Sequence, residues 1–559
     1  MPLRSAGWFH SKDYYGFSRR AWLRSEGFQH EIFDGRPVIG ICNSWSELNN
    51  CNLHLRELAG AVKRGVLQAG GLPLEFPTIS LGEMFLKPTS MLFRNLMAMD
   101  VEEMITANPL DGVVLLGGCD KTIPAQLLGA ISAGIPAITL PGGPMLAGLW
   151  RNRRLGGGTD GRKLFDQYRK GEIGEETWCE IEGSIARSAG HCTVMGTAST
   201  MALMAEALGM TLPGSAAIPA PDSRRAMIAE QTGRRIVDMV RENLTPDRVL
   251  TRPAFENAVR VFQALGGSTN AIVHLLALAR RARVELNLDD FDHFSRSTPW
   301  LANIKPSGEF LMEDFFAAGG LPVLMRDLLP LLRPQAFTVT GQTVEANIAS
   351  AECWDRNVLK PLAEPLNAEG GTLVLRGNLA PRGAVLKQTA ASPELLRHRG
   401  RAFVFENYDD LRAKLEDPAL PVDASTVLVL RNAGPRGGPG MPEWGQIPLP
   451  KVLLDRGVTD VVRISDARMS GTSFGTVVLH VCPESAIGGP LAAVRTGDEI
   501  SLDAPKRSLR LEIPDDETAR RLAAFAPPPA HYTRGYGRLF LDHVLQVDEG
   551  CDFDFLIPD

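Results

Sequence analysis

Cysteine is scarce in this sequence, and the spacing of the few cysteines limits what they can do. Only eight cysteines occur among 559 residues, and no two of them form a Cys-x-x-Cys pair. Disulfide frameworks are typical of short secreted chains that are rich in cysteine. This chain is long and poor in cysteine, so a disulfide framework is not expected. The useful question is whether any of the eight bind a metal.

Long apolar runs are absent as well. No stretch approaches the ~18 apolar residues that indicate a membrane span, and the first twenty residues, MPLRSAGWFHSKDYYGFSRR, lack the apolar segment of a signal peptide. The formal net charge is −6, whereas nucleic-acid binding favours a basic surface. We therefore expect a cytoplasmic enzyme that binds neither membrane nor nucleic acid.

The chain is too long for a single hydrophobic core, and its texture changes near residue 365. Before that point buried strands alternate with amphipathic helices, which predicts an α/β domain with a mostly parallel sheet flanked by helices. After it, short β-rich runs separated by glycine and proline predict a β-barrel-like domain. We expect domains at 1–365 and 366–559, with an aromatic N-terminal arm that packs on its own core or on a second subunit.

The turn at Cys119, Asp120 and Lys121 carries a thiol, a carboxylate and an amine on consecutive residues. It follows an apolar run, Val113 to Leu116, and precedes a helical pattern. Ligands collect at the carboxyl ends of strands in α/β sheets, and a helix start favours anions and thiolates. The turn is consistent with a metal site or with an ordinary charged pair at the surface.

Two further cysteines precede predicted helices. Cys51 stands before a helix with Leu55, Leu58 and Val62 on its apolar face, and Cys192 stands before a helix that ends at Gly209. Such positions favour a thiolate, but a free cysteine also serves as a small buried hydrophobe. The spacing of the three cysteines is by itself a weak metal signal.

Three glycine-rich segments are candidate loops, and two of them carry polar residues that could belong to a site. The stretch 434–443 is too rich in glycine for a helix or strand and ends in the carboxylate of Glu443, and a segment after a predicted strand offers Ser470 and Thr472 around a glycine. The triplet 156–158 is interpreted as a mobile connection. No Gly-x-x-x-x-Gly-Lys-Ser/Thr phosphate loop and no His-Glu-x-x-His zinc motif occurs.

Seven segments in collinear order resemble the dihydroxy-acid and sugar-acid dehydratase family, which includes 6-phosphogluconate dehydratase. They are NNCNLHL, LGGCDKTIPAQ, GHCTVMGTASTM, ALGGSTNAIVHLLA, RGNLAPRGAVLK, GGPGMPEW and DARMSGTSFGTVVLHVCPE. The resemblance runs from about Gly35 to the C-terminus.

The resemblance implies two inorganic cofactors. Cys51, Cys119 and Cys192 match iron–sulfur ligands, and three cysteines leave one coordination position open where a cluster commonly has four. The sugar-acid branch implies a 2Fe–2S cluster, with a 4Fe–4S cluster as the alternative. Four further residues match Mg²⁺ ligands of the family: Glu83, Asp120, Glu443 and Lys121. The lysine is carbamylated in the family, which turns an amine into an anionic oxygen ligand.

The resemblance also implies a reaction. Ser470 matches a general base and Thr472 a residue that binds substrate or orients that base. The expected enzyme is a hydro-lyase that eliminates water across C2–C3 of a sugar acid, such as L-arabinonate or a related pentonate or hexonate, to give a 2-keto-3-deoxy acid. Arg382 and Thr472 are interpreted as polar partners for a polyol tail.

Two other functions remain open at this point. One is a dihydroxy-acid dehydratase of branched-chain amino-acid biosynthesis, whose substrate has an apolar tail. The other is a non-catalytic iron–sulfur protein that senses redox state or carries electrons. The resemblance further implies a homodimer or homotetramer.

Overall fold

The computed structural model describes residues 3–33 and 35–556. The predicted α/β class is confirmed, with an N-terminal parallel sheet flanked by helices and a closed C-terminal barrel. No helix in these two ranges is long and apolar enough to cross a membrane.

The strands are numbered in chain order. They are β1 Val38–Asn43, β2 Leu72–Pro77, β3 Gly112–Gly117, β4 Ala137–Pro141, β5 Gly148–Trp150, β6 Arg153–Leu155, β7 Leu373–Gly377, β8 Ala380–Leu386, β9 Arg397–Phe405, β10 Val427–Leu430, β11 Arg463–Ser465, β12 Val477–Cys482, β13 Glu499–Asp503 and β14 Ser508–Leu511.

The α-helices are numbered in the same way. They are α1 Ala6–Phe9, α2 Tyr14–Ser25, α3 Leu55–Gln68, α4 Arg94–Ala107, α5 Thr122–Ala133, α6 Gly157–Arg169, α7 Glu175–Ile185, α8 Thr197–Ala207, α9 Ser223–Glu242, α10 Pro246–Val249, α11 Arg252–Leu265, α12 Asn270–Arg281, α13 Leu288–Ser297, α14 Met312–Ala317, α15 Gly320–Asp327, α16 Val344–Ile348, α17 Tyr408–Lys414, α18 Lys451–Asp455, α19 Asp515–Ala523 and α20 Gly535–His543.

The N-terminal sheet has the order β2–β1–β3–β4, and every pair in it is parallel. Strands β1, β3 and β4 are buried along their whole length, as expected for a parallel sheet that is covered on both faces. Their continuous apolar runs therefore predict the sheet correctly. All the carboxyl ends of these strands lie along one edge.

Glycines allow two of the covering helices to pack closely. A Cβ atom at Gly65 of α3 would lie 1.9 Å from the carbonyl oxygen of Glu230, and one at Gly233 of α9 would lie 2.2 Å from the carbonyl oxygen of Val62. Neither position has room for a larger residue. Helix α3, which follows the Cys51 loop, is therefore held firmly against α9.

The barrel closes in the order β10–β11–β12–β8–β7–β14–β13–β9. Its interior is filled by aliphatic side chains, among them Leu375, Leu386, Val429 and Ile464. Strands β9 to β12 pair in parallel, whereas β12–β8, β8–β7 and β13–β9 are antiparallel. The barrel therefore mixes two kinds of pairing around one apolar core.

The interpretation of the 156–158 triplet as part of a mobile loop was wrong. Residues Gly157 and Gly158 form the first turn of α6, which continues to Arg169. The turn is fixed because Asp160 Oδ2 accepts hydrogen bonds from the Gly156 N–H at 2.6 Å and from Lys305 Nζ at 2.6 Å. Close packing accounts for a glycine here, because a Cβ atom at Gly158 would lie against the side chain of Thr472.

Candidate active site

The carboxyl edge of the parallel sheet brings the N-terminal candidate residues together. The loop after β1 carries Cys51, the loop after β2 carries Glu83, and the turn after β3 carries Cys119, Asp120 and Lys121. This edge is where open α/β sheets bind ligands. Helix α3 begins four residues after Cys51 and α5 begins at Thr122, so both cysteines precede helices as predicted.

The loops that carry the three cysteines are in contact. A Cβ atom at Gly118 would lie 2.3 Å from the carbonyl oxygen of Cys51. The Gly190 N–H donates to the carbonyl oxygen of Asn50 at 3.0 Å, which ties the Cys192 loop to the Cys51 loop. Glycine at position 118 is therefore required for the approach of the first two loops.

Cys119 is close enough to the other two cysteines to shift their pKa values. The hydrogen bond with Cys119 raises the pKa of Cys51, and burial and the charges of Cys119 and Cys192 raise it further. Burial, followed by the charge of Cys119, raises the pKa of Cys192 to about 12. Cys51 and Cys192 are therefore thiols at neutral pH in this arrangement, and a bound metal would have to displace their protons.

An ammonium group occupies the centre of the carboxylate cluster. Lys121 is fully buried, and its Nζ atom lies 2.5 Å from Asp120 Oδ2, 3.2 Å from Glu83 Oε2 and 3.7 Å from Glu443 Oε1. Across residues 3–33 and 35–556, no three His, Cys, Asp or Glu side chains form a ready-made metal site. The carboxylates converge on a lysine instead.

Lys121 and Arg468, the two cations beside the carboxylates, shift the carboxylate pKa values unequally. Burial alone would raise the pKa of Glu83, but Lys121 and Arg468 lower that pKa to about 2. Burial raises the pKa of Glu443, which lies farther from Lys121, and Glu83 adds to this effect. The carboxylates outweigh burial and raise the pKa of Lys121. Glu83 is therefore more firmly ionised than Glu443.

Glu83 is held rigidly by its own loop. Its Oε1 atom accepts from Thr89 Oγ1 at 2.8 Å, and its Oε2 atom accepts from the Ser90 N–H at 3.2 Å and from the Ser90 hydroxyl. Hydrogen bonds of this kind favour the carboxylate over the acid. The loop after β2 therefore presents a fixed anion to the site.

Glu443 is held by two residues for which the sequence analysis found no role in the site. Its Oε1 atom accepts from Asn270 Nδ2 at 2.7 Å and from Arg468 Nη1 at 3.3 Å. Arg468 and Asp466 lie two residues apart in the sequence but do not pair with each other. Asp466 binds Ser485 and the Ala433 N–H instead.

Ser470 and Thr472 form a hydroxyl pair with 3.0 Å between their Oγ atoms. The carbonyl oxygen of Thr472 accepts from Thr159 Oγ1 of α6 at 2.7 Å. Thr472 also faces the third cysteine loop, because a Cβ atom at Gly196 would lie 3.2 Å from Thr472 Cγ2 and 3.9 Å from Cys192 Cβ. The pair therefore adjoins the cysteine loops, and Arg468 links its segment to the carboxylates.

Arg382, which was expected to contact a polyol tail, binds two carboxylates of the C-terminal segment. Its guanidinium donates to both carboxylate oxygens of Asp548 at 2.7 Å and to Glu549 at 2.9 Å. These contacts fasten the C-terminal segment to β8. The contacts support a structural role for Arg382.

Comparison with known proteins identifies the family. Residues 36–347 match the description dihydroxy-acid/6-phosphogluconate dehydratase N-terminal, and residues 357–551 match the corresponding C-terminal description. The chain belongs to the dihydroxy-acid/6-phosphogluconate dehydratase family. Dehydratases of this kind are hydro-lyases, and the resemblance found in the seven sequence segments is confirmed.

Three relatives that match over nearly their full length are named as sugar-acid dehydratases. L-arabonate dehydratase of Azospirillum brasilense is 55% identical over 99% of this chain and 97% of its own length. L-arabinonate dehydratase of Rhizobium leguminosarum bv. trifolii (52%) and 6-deoxy-6-sulfo-D-gluconate dehydratase of Pseudomonas putida (50%) each match 99% of this chain and 96% of their own length. A dihydroxy-acid dehydratase of Ignicoccus hospitalis is 39% identical, over 97% of this chain and 98% of its own length.

Proposed function

We propose that this dehydratase eliminates water across C2–C3 of an aldonate such as L-arabinonate, giving a 2-keto-3-deoxy acid. The observation that carries the proposal is the identity of 50–55%, over nearly the whole chain, to three relatives named for sugar acids. The dihydroxy-acid dehydratase is more distant at 39%. An aldonate is therefore favoured over a branched-chain dihydroxy acid.

The carboxylate cluster supports a hard divalent cation such as Mg²⁺. Glu83, Asp120 and Glu443 supply the oxygen donors that such a cation prefers. The ammonium of Lys121 is the obstacle, because a positive charge among the ligands would repel the cation. A carbamate on Lys121 would replace that charge with anionic oxygen, and we propose that Lys121 carries it in the active enzyme.

The three cysteines support an iron–sulfur cluster, which we propose is 2Fe–2S. They sit on loops that touch one another. The hydrogen bond with Cys119 raises the pKa of Cys51, and burial followed by the charge of Cys119 raises the pKa of Cys192, as expected for neighbouring sulfurs. Three thiolates leave one iron position open to substrate. When bound, the cluster would act as a Lewis acid toward the C3 hydroxyl, and Mg²⁺ would supply positive charge to the carboxylate and C2 hydroxyl.

We propose that Ser470 removes the proton from C2 and that Thr472 orients it. An alcohol is a poor base at neutral pH, so its alkoxide must be stabilised by nearby donors and positive charge. Thr472 Oγ1 is within hydrogen-bond distance of Ser470 Oγ, and the buried guanidinium of Arg468 belongs to the same segment. The hydroxyl pair would hold the proton that leaves C2.

A product assay tests the proposal. Purified enzyme should convert L-arabinonate to a product that has lost one water and carries a ketone, and 2,3-dihydroxyisovalerate should be converted slowly or not at all. Strong turnover of 2,3-dihydroxyisovalerate with none on C5 and C6 aldonates would instead support the branched-chain function. A visible cluster with no turnover on either class would support a redox protein.

We also propose the organisation of the protein. Domains at 1–365 and 366–559 would meet around the site, and the enzyme would be a homodimer or homotetramer in the cytoplasm. Analytical ultracentrifugation of the purified protein distinguishes these assemblies from a monomer.

A further inference from the structure

Glu443 uses its two oxygen atoms differently. Oε1 accepts hydrogen bonds from Asn270 and Arg468 and is the oxygen nearest to Lys121. Oε2 accepts no hydrogen bond from any residue in the described ranges 3–33 and 35–556. One oxygen is therefore committed to protein donors and the other is left for a ligand.

Asn270 is fixed in the orientation that donates to Glu443. Its Nδ2 group donates to Glu443 Oε1 at 2.7 Å and to Thr197 Oγ1 at 3.0 Å, so both amide hydrogens are used. The residue is fully buried at the first position of α12. A flipped amide would place its oxygen against the Glu443 carboxylate, which is unfavourable because both atoms are acceptors.

Arg468 approaches Glu443 from the barrel side and links it to Glu83. It is fully buried, and its Nε group donates to the carbonyl oxygen of Met441 at 2.8 Å. Its Nη2 group donates to Thr89 Oγ1 at 3.1 Å, and Thr89 Oγ1 donates to Glu83 Oε1. One guanidinium therefore sets the positions of two carboxylates that lie on different loops.

We propose that Asn270 and Arg468 are positioning residues that hold Glu443 Oε1 and so turn Oε2 toward the divalent cation. This inference rests on the proposed cation site. Residues that orient metal ligands typically change metal affinity by about 10- to 100-fold when they are replaced. Neither residue touches the cation, so both influence cation binding through Glu443.

Binding of Mn²⁺ to the enzyme with its cluster intact tests the proposal. Free Mn²⁺ is measured by electron paramagnetic resonance during titration, which does not depend on turnover. Asn270→Ala and Arg468→Lys should each weaken Mn²⁺ binding by about 10- to 100-fold while cluster absorption stays unchanged. Arg468→Lys keeps the positive charge, so its effect reports the lost guanidinium geometry.

Asn257→Ala is the matched control. Asn257 is equally buried and pairs with the backbone of Arg333, far from the carboxylates in the sequence and on another helix, α11. It should lower thermal stability and leave Mn²⁺ affinity at the wild-type value. Should Asn270→Ala fail to fold, Arg468→Lys carries the test.

Glu443→Gln separates the two possible failures. Loss of Mn²⁺ binding in Glu443→Gln together with wild-type affinity in both Asn270→Ala and Arg468→Lys would overturn the positioning role alone. Unchanged Mn²⁺ binding in Glu443→Gln would overturn the cation site and the positioning role together.

Discussion

Gly158 and Thr472 are packed so closely that Thr472 Oγ1 lies 2.3 Å from the place where a Cβ atom at residue 158 would stand. A contact this short cannot be accommodated without moving the Thr472 side chain. The first turn of α6 therefore fixes the hydroxyl that faces Ser470.

Gly158→Ala should lower kcat strongly, although alanine is the better helix former by about 1 kcal/mol. The methyl group would push Thr472 away from Ser470 and break their 3.0 Å contact. Gly157→Ala is the matched control, because the nearest atom to its Cβ would be Thr193 Oγ1 at 3.6 Å. Steady-state kinetics of both variants check the prediction, and equal activities would contradict it.

Ser470→Ala should retain the visible absorption of the cluster and lose dehydration. The substitution removes the proposed proton acceptor but leaves the three cysteines in place. Ser473→Ala is the control, since Ser473 is fully buried in the same segment and its hydroxyl has no hydrogen-bond partner within the described residues. Full activity in Ser470→Ala would remove Ser470 from the mechanism.

Glu484 makes the stability of the barrel loop at 434–443 dependent on pH. Its carboxylate accepts from the Arg436 and Gly437 N–H groups and from Gln546, yet burial, with the charge of Asp466, raises its pKa to about 7 from 4.5. Because the pKa of Glu484 is raised in the folded protein, folding favours its protonated acid. The contribution of Glu484 to the free energy of unfolding is therefore fully present below pH 4.5. It is lost as pH rises through about 7.

Comparison with Glu484→Gln isolates this effect. The free energy of unfolding of the wild type, measured relative to Glu484→Gln, should fall between pH 4.5 and about 7 by at most roughly 3 kcal/mol, and stay level above that. Chemical denaturation across this range checks it, with the exposed Glu309→Gln as control. A difference that does not vary with pH would contradict the prediction.

Arg382→Ala should change stability without changing substrate preference. The side chain is 40% exposed and bound to Asp548 and Glu549, so its loss should cost about 1 kcal/mol. The ratio of kcat/KM for C5 and C6 aldonates should stay at the wild-type value. A changed ratio would return Arg382 to the substrate site.

Local sequence pattern was sufficient for most of the fold. The buried strands β1, β3 and β4 are continuous apolar runs in the sequence. Six of the eight barrel strands likewise coincide with β-rich runs. Strand β8 has no such run, because Pro381 and Gly383 interrupt its pattern, and neither has β13, which is short and bounded by charged residues. Helix α6 was missed because its glycines mark a close contact with Thr472, which no local pattern records.

The site was less accessible from the sequence. Its cysteines, carboxylates and Ser470 came from resemblance, since their spacing alone is a weak signal. Arg468 and Asn270 were missed because their roles depend on contacts across the fold, such as the one between Arg468 and Thr89, which are 379 residues apart. Asn270 lies in the segment GGSTN, whose residue types by themselves indicate only a helix start.

Removal of the divalent cation is the most direct test of the central claim that an iron–sulfur centre and a carboxylate-bound cation act together on an aldonate. Enzyme purified without oxygen and treated with a chelator selective for divalent cations should keep its cluster absorption and lose dehydration of L-arabinonate. Added Mg²⁺ with bicarbonate, which can supply the carbamate on Lys121, should restore activity. Undiminished turnover in the metal-depleted enzyme would contradict the account.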